Sequence, residues 1–305
     1  YLRQMDQAGV YTNFGPLVRQ LESRYSEFLG VDPEQVVSVS SATSGLVGAI
    51  VVSPRSTWLA PVWTFPATAL AVMQSGKRLV LGDIDAETWL LDHESSGFDF
   101  GMGIVPVCPF GAPVNLDLWR DVEEVVVDAA ASLGTRPCLS DMPVNWAVVF
   151  SLHATKTLGA GEGGLVVFGN AERASRFRAW TNFGFAGSRV SETRGTNAKM
   201  SEVMAAYGLA ALDGWPTERA EWAASHQLAT RVSAELGLSV GPTRLDGTSP
   251  YWIVDFGSKA ACEDAERRLD EQGVQTRRWW PALLPDMPAF ARNGLGADSF
   301  PVAYV

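Results

Sequence analysis

Seven short apolar runs, at 36–40, 57–60, 78–81, 103–108, 125–128, 146–151 and 164–168, alternate with helical spacing or turn residues along the first half of the chain. Runs this short, apolar throughout and bounded by turn signals, are what strands buried on both faces require. Their alternation with helices predicts an α/β fold, a three-layer arrangement in which helices cover a mostly parallel sheet. At least six of the runs belong to one layer. An amphipathic helix precedes them over 16–29, where Leu17, Leu21, Tyr25 and Phe28 recur at helical spacing and Gly30 supplies the stop.

After Gly184 the pattern changes to long helices at 201–212 and 217–236, the second charged enough to be a solvent-facing connector. The domain boundary is expected in its middle, giving a large domain at 1–225 and a smaller C-terminal α/β domain at 226–305. The latter is read as a strand at 252–256, a helix at 259–272 and a strand at 274–279. It breaks off before a full layer is built, so the small domain is expected to be incomplete.

With 24 Lys and Arg against 34 Asp and Glu, the formal charge is -10 and no basic run stands out, which disfavours a nucleic-acid partner. No apolar stretch is long enough to predict a membrane span, and no leader pattern opens the chain. Cys108, Cys138 and Cys262 lie far apart, as do the three histidines, so no metal-ligand spacing forms. A reduced, metal-free cytoplasmic protein acting on small molecules is the expectation.

Four segments carry candidate chemistry. In the first, Phe150 to Lys156 runs from a strand end into a lysine among small and hydroxyl residues, followed by Gly159-Ala160-Gly161-Glu162-Gly163-Gly164. Partial desolvation there would free a neutral amine for imine chemistry; a plain surface lysine is the alternative. The glycines match neither a dinucleotide fingerprint, which opens a helix, nor a P-loop, which needs Gly-Lys-Ser/Thr. They read as a tight loop permitting close backbone approach. In the second, Val125 to Val127 end in Asp128, at a sheet edge where a buried acid needs a positive partner; a loop or capping acid is the alternative. The third, Ser40 to Gly45, lies between strand and helix, suited either to phosphate or to simple capping. The fourth, Trp63 to Thr68, sets aromatics beside a strand edge, for stacking on a planar group or for core packing.

Taken in chain order, these segments resemble the DegT/DnrJ/EryC1/StrS family, the fold-type I pyridoxal-phosphate (PLP) sugar aminotransferases. The resemblance extends over Thr12 to Pro16, Ser41-Ala42-Thr43, Thr64 to Thr68, Asp128-Ala129-Ala130, Ser151 to Lys156 with the following Gly-Glu-Gly-Gly, and Gly195 to Ser201. It implies that Lys156 binds the cofactor covalently and Asp128 pairs with the pyridine nitrogen. Ala42, Thr43 and Ser151 would hold the phosphate, Phe65 would stack on the ring, and Asn197 would reach the neighbouring subunit's cofactor in a homodimer. The implied reaction moves an amino group from glutamate or another amino acid to a keto sugar, nucleotide-diphosphate-linked, in amino-sugar biosynthesis. A keto-cyclitol aminotransferase and a non-catalytic PLP-binding regulator or scaffold are the alternatives.

Two departures stand out. Ala131 occupies a position where the family often has glutamine, leaving neighbouring Ser132 to compensate, and family members continue for some tens of residues beyond the equivalent of Pro301. Related dehydratases carry histidine in place of Lys156, which argues against that branch. His153 is expected to be a pocket or packing residue rather than an essential acid or base. Arg277, Trp279 and Trp280 resemble a family segment near the substrate entrance; a cation with flat aromatics suits a sugar nucleotide and equally an interface, so they are not counted as catalytic.

Overall fold

The structure is a computed structural model that describes residues 1–94, 97–241, 248–290 and 300–303. Two helices lead in: α1 (Leu2–Ala8) and α2 (Pro16–Leu29), the latter stopped by Gly30 in the left-handed conformation. The repeating unit follows as β1 (Val36–Val39), α3 (Ala42–Val51), β2 (Thr57–Pro61), α4 (Pro66–Gln74) and β3 (Arg78–Gly82). Next come β4 (Gly103–Ile104), β5 (Val126–Asp128), β6 (Ala147–Ser151), β7 (Gly164–Phe168) and α5 (Ala171–Thr181).

These strands form groups ordered β1-β7-β6-β5 and β3-β2-β4. Bridges at Ile104–Val125 and Val107–Asp128 join the groups, with Cys108 N donating to Asp128 O at 2.9 Å. The result is one layer ordered β3-β2-β4-β5-β6-β7-β1, in which β7 alone runs against the rest. Alternate strand residues feed two cores. Val127, Val148, Phe150 and Leu165 pack with α2 residues Leu21 and Tyr25, while Val126, Val149, Val166 and Phe168 pack with α3 and α5 residues Leu46, Ile50 and Phe177. Burial on both faces is why each run reads as continuously apolar, and the expected three-layer architecture is present.

Small residues at the start of α3 let it lie close to the sheet. A Cβ on Gly164 would sit 2.8 Å from Ala42 N and 2.9 Å from Ala42 Cα, and backbone cannot rotate aside as a side-chain tip can. We expect Gly164→Ala to destabilise the fold by about 1–3 kcal/mol, measured as a shift in the urea midpoint at unchanged slope.

The two helices expected at 201–212 and 217–236 are instead one, α6 (Glu202–Glu235), which continues through Pro216. Proline costs one backbone bond and a bend, but Leu209, Leu212 and Trp215 hold the preceding turns in the core, so packing outweighs the local signal. Glu202 is fully buried and accepts from the amides of Leu17 and Val18, capping α2 where Gly15 has no side chain to do so.

The remaining elements are β8 (Ser239–Val240), β9 (Val254–Asp255) and α7 (Lys259–Glu271), with β8 and β9 antiparallel. The strand expected at 274–279 does not form. Its residues run along α7, where Arg278 grips Glu266, and among the described residues no strand pairs with them. No described helix is long and apolar enough to cross a membrane.

Candidate active site

The carboxyl ends of β1, β2, β5 and β6 converge on a cavity of about 330 Å³. Parallel strands present their last residues at one edge, and loops there gather side chains far apart in sequence. Ala42, Thr43, Phe65, Asp128, Ser151 and Lys156 all line this cavity. A larger groove of about 810 Å³ beside α5 contains none of them.

Asp128 ends β5 and is 6% exposed. Its carboxylate accepts from Thr68 Oγ1 at 2.7 Å and from Ala130 N at 3.2 Å, with no ion pair among the described residues. Burial pushes this carboxyl above its ordinary range, against the Thr68 and Ala130 bonds and the charge of Lys156, which pull it down. A desolvated acid of this kind is stabilised by a cation delivered from outside the chain.

At the start of α3, Ser41 Oγ caps Ser44 N at 3.1 Å and Gly45 N reaches Ser41 O. The first two amides, those of Ala42 and Thr43, have no partner among the described residues, and they sit at the positive end of the helix. Ser151 adds a hydroxyl at the end of β6, accepting from His153 N at 3.1 Å. Together they make a cradle for a phosphate. Phe65, the residue before α4, is 52% exposed, an uncommon state for a phenylalanine at a sheet edge and one that suits stacking on a planar ligand.

Lys156 lies on the loop between the antiparallel strands β6 and β7. Leu152 N to Gly163 O and Ala154 N to Gly161 O continue the ladder into that loop, and the glycine run makes the turn, with φ of 99° at Gly161 and 155° at Gly163. The Lys156 amine donates to Tyr251 Oη at 2.6 Å. His153 stands at the rim; its Nδ1 accepts from Thr155 N at 3.2 Å, which leaves the ring proton on Nε2, facing Glu162 Oε1 at 3.6 Å.

Asn197, expected at a neighbouring subunit's cofactor, is exposed and off this cavity, and its Oδ1 accepts from Lys199 at 2.8 Å, in a segment joined to β1 through the Val39–Lys199 bridge. Ser132 does not stand in for a glutamine at Ala131, because its buried hydroxyl donates to Ala112 O at 2.7 Å. Ala131 and Cys108 line that side instead, the thiol pushed up to about 12 chiefly by burial and further by Asp128. Thr68 and Tyr251 were not singled out as site residues. Thr68 was detectable as a hydroxyl one helical turn after Thr64, to which it bonds at 3.1 Å, but Tyr251 carries no local signal.

A phosphate cradle, an exposed aromatic, a desolvated acid lacking a cation and a lysine amine share one cavity, and together they fit pyridoxal phosphate. That fold and site define a fold-type I PLP-dependent aminotransferase. The chain belongs to the DegT/DnrJ/EryC1/StrS aminotransferase family, whose model matches residues 1–304. It is 27% identical to dTDP-3-amino-3,4,6-trideoxy-alpha-D-glucose transaminase of Streptomyces venezuelae, over 95% of this chain and 79% of that protein. It is 32% identical to the erythromycin biosynthesis sensory transduction protein EryC1 of Saccharopolyspora erythraea, over 80% of this chain and 70% of that one. Among solved structures, DesI in the presence of its TDP-sugar product superposes with a TM-score of 0.82 at 32% identity, covering 95% of this chain and 77% of that one.

Proposed function

We propose that this aminotransferase carries an amino group from glutamate to a keto sugar held on a nucleoside diphosphate, in amino-sugar biosynthesis. The convergence of Lys156, Asp128 and the open amides of α3 on one cavity carries this reading. The sugar class is supported by relatives that act on dTDP-linked sugars or were crystallised with one.

When bound, pyridoxal phosphate supplies an electron sink for the amino donor's α-carbon. In our reading Lys156 would hold the cofactor covalently and, as a free amine, would move the proton at the donor α-carbon. Asp128 keeps the ring nitrogen protonated, held in orientation by Thr68. Ala42, Thr43 and Ser151 hold the phosphate and Phe65 covers one face of the ring. Phe110 and Trp280 line the cavity with ring centres 4.7 Å apart and Trp63 packs against both, an apolar wall that would limit water at the site.

The same reading includes a homodimer with shared sites. Asn197 is turned away from its own cavity, and exposed Phe183 and Val190 occur in the same segment, as a face covered by a second copy requires. It also includes a large domain at 1–225, a small domain at 226–305 with the boundary inside α6, and a cytoplasmic location without nucleic-acid or membrane partners.

Absorbance of the holoenzyme tests the reaction. Glutamate should bleach the visible band, and a nucleotide-linked keto sugar should restore it. Restoration by an inosose but by no nucleotide sugar would instead mark a cyclitol aminotransferase, and a band indifferent to every amino donor would mark a regulator or scaffold.

A further inference from the structure

We propose that Tyr251 is a positioning residue for Lys156, one that holds the amine in place and tunes its readiness to exchange protons. The proposal rests on the reading of Lys156 given above. It begins from one contact: Lys156 Nζ to Tyr251 Oη at 2.6 Å, across 95 residues of sequence. Among the described residues this is the only hydrogen bond of either group. Nζ lies 4.9 Å from the centre of the Tyr251 ring and 5.8 Å from that of Trp279, so the amine meets tyrosine at its hydroxyl edge.

Tyr251 is itself held from three sides. Its amide donates to Ser249 Oγ at 3.0 Å, and the same hydroxyl donates to Phe110 O at 2.5 Å, in a site where Ser249 is 1% exposed. Ser249 O accepts from His226 Nε2 at 2.8 Å, which ties this stretch to α6. The ring packs edge-on to Trp279 at 4.9 Å and to Phe110 at 6.3 Å. A phenol fixed in this way presents its hydroxyl at a set point over the lysine loop.

A neutral hydroxyl suits an amine that changes its proton state. It accepts from the ammonium and donates to the free amine, whereas a carboxylate there would hold the amine charged. The other titratable or charged groups lining the cavity are Asp128, Cys108, His153, Glu162 and Arg277. Tyr251→Phe leaves all of them in place and retains the ring packing, so it isolates the hydroxyl.

The test uses Tyr251→Phe with two readouts. In the cofactor-free protein, reductive methylation of Lys156 by formaldehyde, quantified by peptide mass spectrometry, should run about tenfold faster, as loss of one hydrogen bond to a charged group implies. In the holoenzyme, the pH midpoint of the visible band should move by about one unit. A methylation rate and a midpoint both equal to wild type would overturn the proposal. Borohydride reduction separates the failures: cofactor fixed on a lysine other than Lys156 overturns the site reading itself, and the proposal with it. Fixation on Lys156 with unchanged Tyr251→Phe overturns the proposal alone.

Discussion

Lys156→Ala is expected to lower transamination by at least about 10⁴-fold, the scale of losing the group that, on the proposed reading, forms the covalent bond. No neighbour can replace it. The other basic side chains lining the cavity are His153, whose Nδ1 is occupied by the Thr155 amide, and Arg277, whose delocalised guanidinium is no substitute for a primary amine. The lysine is partly exposed and its loop is braced by backbone bonds, so the melting temperature should change little. Steady-state rates with glutamate and a keto acceptor, set beside a melting curve, check both halves. Turnover within tenfold of wild type would remove Lys156 from the mechanism.

Asp128→Asn should separate stability from catalysis. Burial raises this carboxyl in the cofactor-free fold, so the folded state retains a proton that the unfolded state has released. The stability linked to that proton is fully present below the ordinary carboxylate range and is lost as pH rises through the raised folded value. Asparagine carries no such loss and can still meet Thr68 and Ala130. The cofactor-free variant should therefore melt above wild type at pH 7, with the difference shrinking toward acidic pH. Turnover should fall by about 10²- to 10³-fold, since on the proposed reading the ring nitrogen would lose its anionic partner. A variant that melts below wild type at neutral pH, or turns over normally, would contradict this account.

The strand layer was legible because both faces are buried: a strand packed between two helical layers has no polar alternation to confuse it. Lys156, Asp128 and the start of α3 were legible because each lies at or shortly after the end of such a strand. What was missed depends on distance or on competing packing. Pro216 breaks an isolated helix, yet α6 passes through it because Leu209, Leu212 and Trp215 are anchored in the core. The run at 274–279 has strand composition, but it packs back on α7, which takes Arg278 through Glu266 and the Val274 amide through Leu269 O, and no described strand pairs with it. Tyr251 meets Lys156 across 95 residues of sequence, a contact no local pattern announces.

The reversed strand β7 has a mechanical consequence. Because β6 returns directly through an antiparallel neighbour, the lysine stands on a hairpin clamped at both feet, without the crossover helix that follows most parallel strands. On the proposed reading, the travel of the amine between anchor and proton carrier falls to rotation about the side chain's own bonds, and the hairpin acts as a pivot beneath a short swinging arm.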